Sequence, residues 1–275
     1  MDLITILFVA DICGKAGRQA TAHMIKPLRG KHAADYVIAN VENAAGGFGI
    51  TPEMCRKIFS YGIDIQTSGN HIWDRYDIVR FFDDRPKLLR PANYPSRAPG
   101  TGAYVEKIGN WKIATLNLMG RVYMKDIDCP FQVADRELVT LSKETEIIVV
   151  DFHGEATSEK QAMLYHLDGK VSAIIGTHTH VQTADECISR RGTAYISDAG
   201  MTGAHDSIIG MEKEPSLQRF LTGMPKRFTT AGGDIKISGV ILKINPDDGR
   251  AHHIERFRED FDSENFRADT TTPEI

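Results

Sequence analysis

Apolar residues in this chain come in short unbroken runs separated by polar punctuation, not in one sustained period. Leu3 to Ala10 is such a run, and a continuous apolar stretch of this length predicts a strand buried on both faces. "GKAGR" then turns the chain into a helix through about Ala20 to Leu28, and "ADYVIAN" reads as a second buried strand. "TPEMCRKIFSYG" carries Thr51 as N-cap, Pro52 at the first helical position and Gly62 as the stop, and "IDIQTS" returns as a strand. This βαβαβ alternation implies a sheet covered by helices, with functional groups at the strand ends.

The pattern changes in the middle, where "AYVEKIGNWKIATLNL" alternates around Gly109 and Asn110 as an antiparallel hairpin does. Further strands are expected at Glu146 to Phe152, Val171 to Gly176, Glu186 to Ser189 and Ala194 to Ser197, with a helix over about Ser158 to Leu167. "DIKISGVILKI", a turn at "NPDDG" and "AHHIERFRE" form a late hairpin. Parallel and antiparallel elements over this length predict an α/β fold of two mixed sheets packed together with helices outside. No repeat or linker divides the chain, so one domain is expected over residues 1–258. From Glu259 to Ile275 six acidic residues face one basic residue, the composition of a flexible tail.

Composition narrows the function. A hydrophobic fraction of 41% over 275 residues supports a full core. A net charge of −4 argues against a broad electrostatic surface for duplex nucleic acid or an anionic membrane. Leu3 to Ala10 lacks the basic flank and cleavage site of a signal peptide, and no run approaches the roughly 20 residues that span a bilayer. The cysteines Cys13, Cys55, Cys129 and Cys187 lie far apart without CxxC spacing, so neither a zinc knuckle nor a disulfide framework is suggested, and a reducing, cytoplasmic setting fits.

Candidate chemistry gathers where the apolar runs end. "AIIGTHTHVQT" delivers His178 and His180 one residue apart just past a strand, and in extended backbone two such side chains share a side. Other strand ends deliver Asp11, Glu42 with Asn43, Asn70 with His71, and His153. Singly these read as helix caps, Asx-turns or satisfied core histidines. Together they offer enough oxygen and nitrogen donors for two divalent cations.

The order Asp11, Glu42, Asn70-His71, His153, His178-Thr179-His180 is similar to that of the calcineurin-like metallophosphoesterases, in particular their bacterial YmdB-like branch. The stretches "ENAAGGFGIT", "GNHIWD", "DFHGEATSEK", "GTHTHVQTAD" and "SDAGMTG" carry the resemblance, which reaches to about Arg258. It implies a four-layer α-β-β-α sandwich and a two-metal site bridged by Glu42. Asp11, Asn43 and His180 would belong to one metal, and Asn70, His153 and His178 to the other. A bridging carboxylate can hold two cations roughly 3.5–4 Å apart around one shared hydroxide, the expected nucleophile for in-line attack. Where the broader family has Asp-x-His, this chain has Asp11-Ile12-Cys13, and Cys13 is expected to pack and not to ligate. A carboxylate and amide environment favours iron or manganese, with zinc and cobalt left open.

His71 would then stand beside the leaving oxygen as proton donor, with Asp74 holding its other ring nitrogen or capping a helix near Arg75. In "NLMGRVYM", Asn117 and Arg121 are candidates for substrate contact, Arg121 through its guanidinium fork. The resemblance implies a phosphodiesterase acting on a small phosphate ester, with 2′,3′-cyclic nucleotides first. A phosphomonoesterase is the nearest rival, and a low-turnover regulatory protein binding nucleotide or RNA is a rival of another class. His71 beside a full ligand set favours an enzyme. The sequence leaves self-association open.

Overall fold

Alternation of side chains along each strand decides which layer every apolar residue joins. The computed structural model describes residues 3–84 and 86–262. The expected opening is present as β1 (Ile4–Val9), β2 (Asp11–Ile12), α1 (Gly14–His32), β3 (Tyr36–Asn40), α2 (Pro52–Ser60) and β4 (Ile65–Thr67). A 3₁₀ helix over Tyr76–Asp84 leads to the hairpin β5 (Ala103–Ile108) and β6 (Trp111–Met119), then α3 (Pro130–Leu141), β7 (Ile147–His153), α4 (Thr157–Leu167) and β8 (Ala173–Thr177). The chain continues through β9 (Cys187–Ile188), β10 (Ala194–Ile196), β11 (Met201–Ala204), α5 (Lys213–Thr222) and the hairpin β12 (Ile235–Ile244) and β13 (Ala251–Asp260).

One sheet runs β2-β11-β12-β1-β3-β4 with β13 also paired to β12, and the other runs β5-β6-β7-β8-β10-β9. Strands β1, β3 and β4 are parallel, as are β6, β7, β8 and β10, while β12 runs against β1 and β13, and β5 and β9 run against their neighbours, so both sheets are mixed. Ile4, Ile6 and Phe8 point between the sheets, where they meet Ile147, Val149 and Ile175. Leu7 and Val9, one residue out of phase, pack with Ile25 and Leu28 of α1 and Ile58 of α2. On the far side Val150 and Phe152 pack with Leu138 of α3 and Met163 of α4. At roughly 1.5–3 kcal/mol for each large apolar side chain buried, these three interfaces hold the four layers α-β-β-α together.

The parallel strands of each sheet end on one edge, and α/β sheets place their functional loops at such an edge. Among the described residues no helix is long and apolar enough to cross a membrane. None of the four cysteines forms a disulfide. Strand β13 runs to Asp260 and Phe261 is buried against the α1 side of the core, so folded chain passes the boundary expected after residue 258. Residues 263–275, most of the expected tail, lie outside the described residues.

Candidate metal centre

The expected ligands meet where the two sheets converge. Asp11 opens β2 just past the end of β1, Glu42 and Asn43 follow β3, Asn70 and His71 follow β4, His153 ends β7, and His178 and His180 follow β8. His153 Nε2 is 2.9 Å from Glu42 Oε1, 3.0 Å from Asn70 Oδ1 and 3.1 Å from His178 Nδ1. His180 Nε2 is 3.4 Å from Asn43 Oδ1 and 3.6 Å from Asp11 Oδ2. Glu42, His153 and His178 form a group able to hold a metal ion.

The outer hydrogen bonds fix which atoms face inward. Thr177 donates to Asp151 Oδ1 at 2.7 Å, so its hydroxyl accepts from His153 Nδ1 at 2.9 Å and leaves Nε2 with a lone pair. His180 donates from Nδ1 to the Ile209 carbonyl at 2.9 Å, and His178 pairs through Nε2 with Glu155 at 3.1 Å. Asn43 donates from Nδ2 to the Gly47 carbonyl at 3.0 Å, which turns its Oδ1 toward His180. Three imidazole lone pairs and four oxygens therefore face one another, with outer partners of the kind that orient metal ligands. Asp11 Oδ1 is buried with no hydrogen-bond partner, which is the signature of an acceptor awaiting a cation.

The charges lead the same way. Asp11, Glu42 and Asp151 are at most 1% exposed, and each uncompensated buried carboxylate would cost several kcal/mol. Asp151 is answered by donors from Asn40, Thr67 and Thr177. Burial opposes ionisation of Glu42, but the adjoining His153 ring and then His71 outweigh it and hold the carboxyl below the usual range. Burial likewise opposes charge on His153, and Glu42 beside it outweighs that cost and lifts the ring above an ordinary histidine. One proton on His153 answers one carboxylate. It offsets only part of the cost at Asp11, whose pKa burial still pushes well above the usual range, and it does not help His180, which burial pushes down. His178 is lowered to about 3 by burial and by His153, so it faces inward as a neutral donor. The donor set fits divalent metal ions better than it fits protons.

His178 and His180 reach the site by a route other than strand alternation. β8 stops at Thr177, and the two histidines have φ of 107° and 64°, in the left-handed region that non-glycine residues seldom occupy. They face different partners, His153 and Glu155 in one case, Asn43 and Asp11 in the other. Asp198 secures the turn between them, accepting from Thr179 N at 3.0 Å and from its hydroxyl at 2.8 Å, and is itself paired with the buried Lys160 at 2.9 Å. Strain of this kind persists only where the surroundings over-determine it. Gly69 is needed for a different reason, since a Cβ there would lie 2.1 Å from the His153 ring.

His71 stands to one side of the inward-facing atoms. Its Nδ1 is 2.7 Å from Asp74 Oδ2, its backbone N–H donates to Glu42 Oε2 at 3.0 Å, and it lines a cleft of about 340 Å³ together with Glu42, Asn43, His178 and His180. Asp74 holding one ring nitrogen leaves Nε2 for chemistry.

Two expected substrate contacts lie elsewhere. Asn117 is fully buried because β6 continues to Met119, and its amide ties strands by accepting from Ser68 N at 3.0 Å and donating to the Asp151 carbonyl at 3.4 Å. Arg121 is exposed on the following loop, whose backbone Glu159 holds, and it is not among the residues lining the cleft. Sequence reasoning misses Asp151, Asp198, Lys160, Glu155 and Lys125, whose ammonium donates to the Asn70 carbonyl at 2.6 Å. A charged residue inside the apolar run "IIVVDFH" is the available signal for Asp151.

Cys13 is buried and packs with its sulfur so close to Gly210 that a Cβ there would lie 2.6 Å from it. Burial, and then Asp11, push its thiol up to about 12, so the thiolate a metal would need is suppressed. Cys13→Ala is therefore expected to keep full metal stoichiometry by elemental analysis. Selective loss of one ion in that variant would make the sulfur a ligand.

Comparison with known proteins places the whole chain in a family. A family profile described as YmdB-like protein matches residues 7–257. The chain is 44% identical over 251 residues to the 2′,3′-cyclic-nucleotide 2′-phosphodiesterase of Bacillus subtilis (strain 168), covering 91% of this chain and 95% of that protein. A crystal structure of a hypothetical protein from Thermus thermophilus matches with a TM-score of 0.89 at 36% identity, covering 94% of this chain and 100% of that one. The structure of a novel phosphatase from Mycoplasma pneumoniae matches with a TM-score of 0.89 at 32% identity over 97% of each chain. The profile match over nearly the whole length, together with relatives this similar, shows that the chain is an enzyme of the YmdB-like family within the metallophosphoesterases.

Proposed function

We propose that the chain is a dinuclear metal-dependent phosphodiesterase that opens 2′,3′-cyclic nucleotides at the 2′ ester. The observation that carries the reading is the convergence of inward lone pairs from His153, His178 and His180 on carboxylate and amide oxygens, with Asp11 Oδ1 left unpartnered. Glu42 would bridge, Asp11, Asn43 and His180 would hold one cation, and Asn70, His153 and His178 the other. Two cations held there would supply Lewis acidity toward the phosphate and an activated water. The donors are carboxylate, amide and imidazole with Cys13 kept as a thiol, a set that favours iron or manganese over zinc or cobalt.

In the reaction water adds to phosphorus opposite the 2′ oxygen and gives up a proton to solvent, the P–O2′ bond breaks, and O2′ takes a proton from His71 Nε2, which solvent then restores. The product is a nucleoside 3′-monophosphate. Asp74 keeps the His71 ring oriented through Nδ1, and the His71 backbone N–H keeps Glu42 oriented from the other side. The name of the Bacillus subtilis relative supports the cyclic substrate and the 2′ ester.

Metal removal tests the reading. Protein freed of metal by chelation should be inactive on 2′,3′-cyclic AMP, and activity should return with two equivalents of manganese or ferrous iron per chain. Undiminished hydrolysis by protein shown to be metal-free would refute it.

A further inference from the structure

The cleft has two unlike walls. Glu42, Asn43, His71, His178 and His180 make the polar part of its lining, and Met211, Phe220 and Phe228 the apolar part, with Ile209 joining the two through its carbonyl on His180 Nδ1. Phe220 is 79% exposed and Ile209 54% exposed, so apolar surface stands in water within the cleft that the charged centre lines. Phe220 and Phe228 ride on a flap formed by α5 and the segment that returns from it. Its base is fastened by Glu212 N donating to the Thr229 carbonyl at 2.9 Å and by the Thr229 hydroxyl donating to Glu212 Oε2. Within α5 only Ser216 is buried, so the helix is not there to complete the core. The Arg219 guanidinium lies 5.1 Å over the Phe228 ring and steadies it.

We infer that Phe220 and Phe228, backed by Ile209, seat the nucleobase of the cyclic nucleotide and do so without reading which base it is. The inference rests on the phosphodiesterase reading and adds what recognises the rest of the substrate. A phosphate on the polar wall leaves the base to face the apolar one, and a cleft of about 340 Å³ lies at the small end of ligand sites, suited to a mononucleotide. Every base has a π-face, so aromatic stacking accepts all four. Reading a base edge would need free hydrogen-bonding groups, and those lining the cleft beside the centre are engaged, Glu155 by His178 at 3.1 Å and the two hydroxyls through their protons. Ser216 donates to the Glu212 carbonyl at 2.9 Å, and Thr179 donates to Asp198 at 2.8 Å. Covering Phe220 with a base removes apolar surface from water at little ordering cost, because a phenyl ring has only two rotatable bonds.

The test compares wild type with Phe220→Ala and Phe220→Trp on 2′,3′-cyclic AMP, 2′,3′-cyclic UMP and glycerol 1,2-cyclic phosphate, which has the cyclic diester but no base. Phe220→Ala should lose on the order of 10-fold in kcat/KM on both nucleotides, carried by KM, and change little on the glycerol ester. Phe220→Trp should restore the nucleotide activity, and wild type should take adenine and uracil substrates within about 10-fold of each other. Equal loss on all three substrates, no loss on any, or a preference of more than about 100-fold for one base would overturn the seat. Loss on all three together with a lower molecular mass in sedimentation would assign the face to a second copy of the chain and overturn it as well. Wild type that opens none of the three would overturn the phosphodiesterase reading itself, and the seat with it.

Discussion

His71→Ala is expected to keep both metals and to lose on the order of 10²- to 10⁴-fold in turnover of cyclic nucleotides, the range for a lost general acid. The retention follows from where the ring sits. The inward-facing lone pairs belong to His153, His178 and His180, whereas His71 directs Nδ1 to Asp74 and touches the ligand set only through its backbone N–H to Glu42, which alanine keeps. The loss follows from the leaving group, since a ribose 2′ alkoxide is too basic to depart without a proton. A p-nitrophenyl diester, whose leaving group is already a stable anion, should suffer far less. Metal analysis and kinetics on the two substrates check both halves. Loss of metal would move His71 into the ligand set, and unchanged turnover of the cyclic nucleotide would remove it from the chemistry.

Glu42→Gln should empty both positions and not one. Glu42 lies between the donor sets, with Oε1 on His153 Nε2, Oε2 on the His71 backbone and Asn43 next to it in the chain. Glutamine keeps the volume and one acceptor oxygen but removes one of the two buried negative charges, Asp11 and Glu42, that the centre leaves without a cationic partner other than His153. Loss of a single outer partner of a metal ligand typically costs 10–100-fold in affinity, and loss of the shared carboxylate should exceed that for each ion. Elemental analysis after desalting should then fall from two ions per chain to fewer than one. Two ions held at normal affinity would show that Glu42 does not bridge.

Elements legible in the sequence are those where a single local rule governs. β1, β3 and β7 appear as largely apolar runs because both faces are buried, and α2 carries its own cap in Thr51, whose hydroxyl accepts from Met54 N at 3.3 Å. α3 is hard to read because Cys129 at its start makes no side-chain cap, and α5 because it buries only Ser216 and so shows no core-facing stripe. β2, with two residues, and β11, with four, are too short to display a period. In the site, the residues that end strands can be read, but the reasons they converge cannot. His178 and His180 meet their partners through left-handed backbone held by Asp198, which lies 18 residues beyond His180 in the sequence. Asn117 looks like a loop residue because nothing local marks that β6 continues past it, and the structure makes it a strand tie instead.

The central claim is that the centre works on a diester, and side-by-side kinetics of one manganese-loaded preparation test it most directly. With adenosine 2′,3′-cyclic phosphate and adenosine 3′-monophosphate as substrates, the base and ribose are the same and only the second ester differs. Higher kcat/KM on the cyclic diester, with adenosine 3′-monophosphate accumulating as the product, is the expected result. A clear preference for the monophosphate, with release of inorganic phosphate, would contradict the account and make the enzyme a phosphomonoesterase.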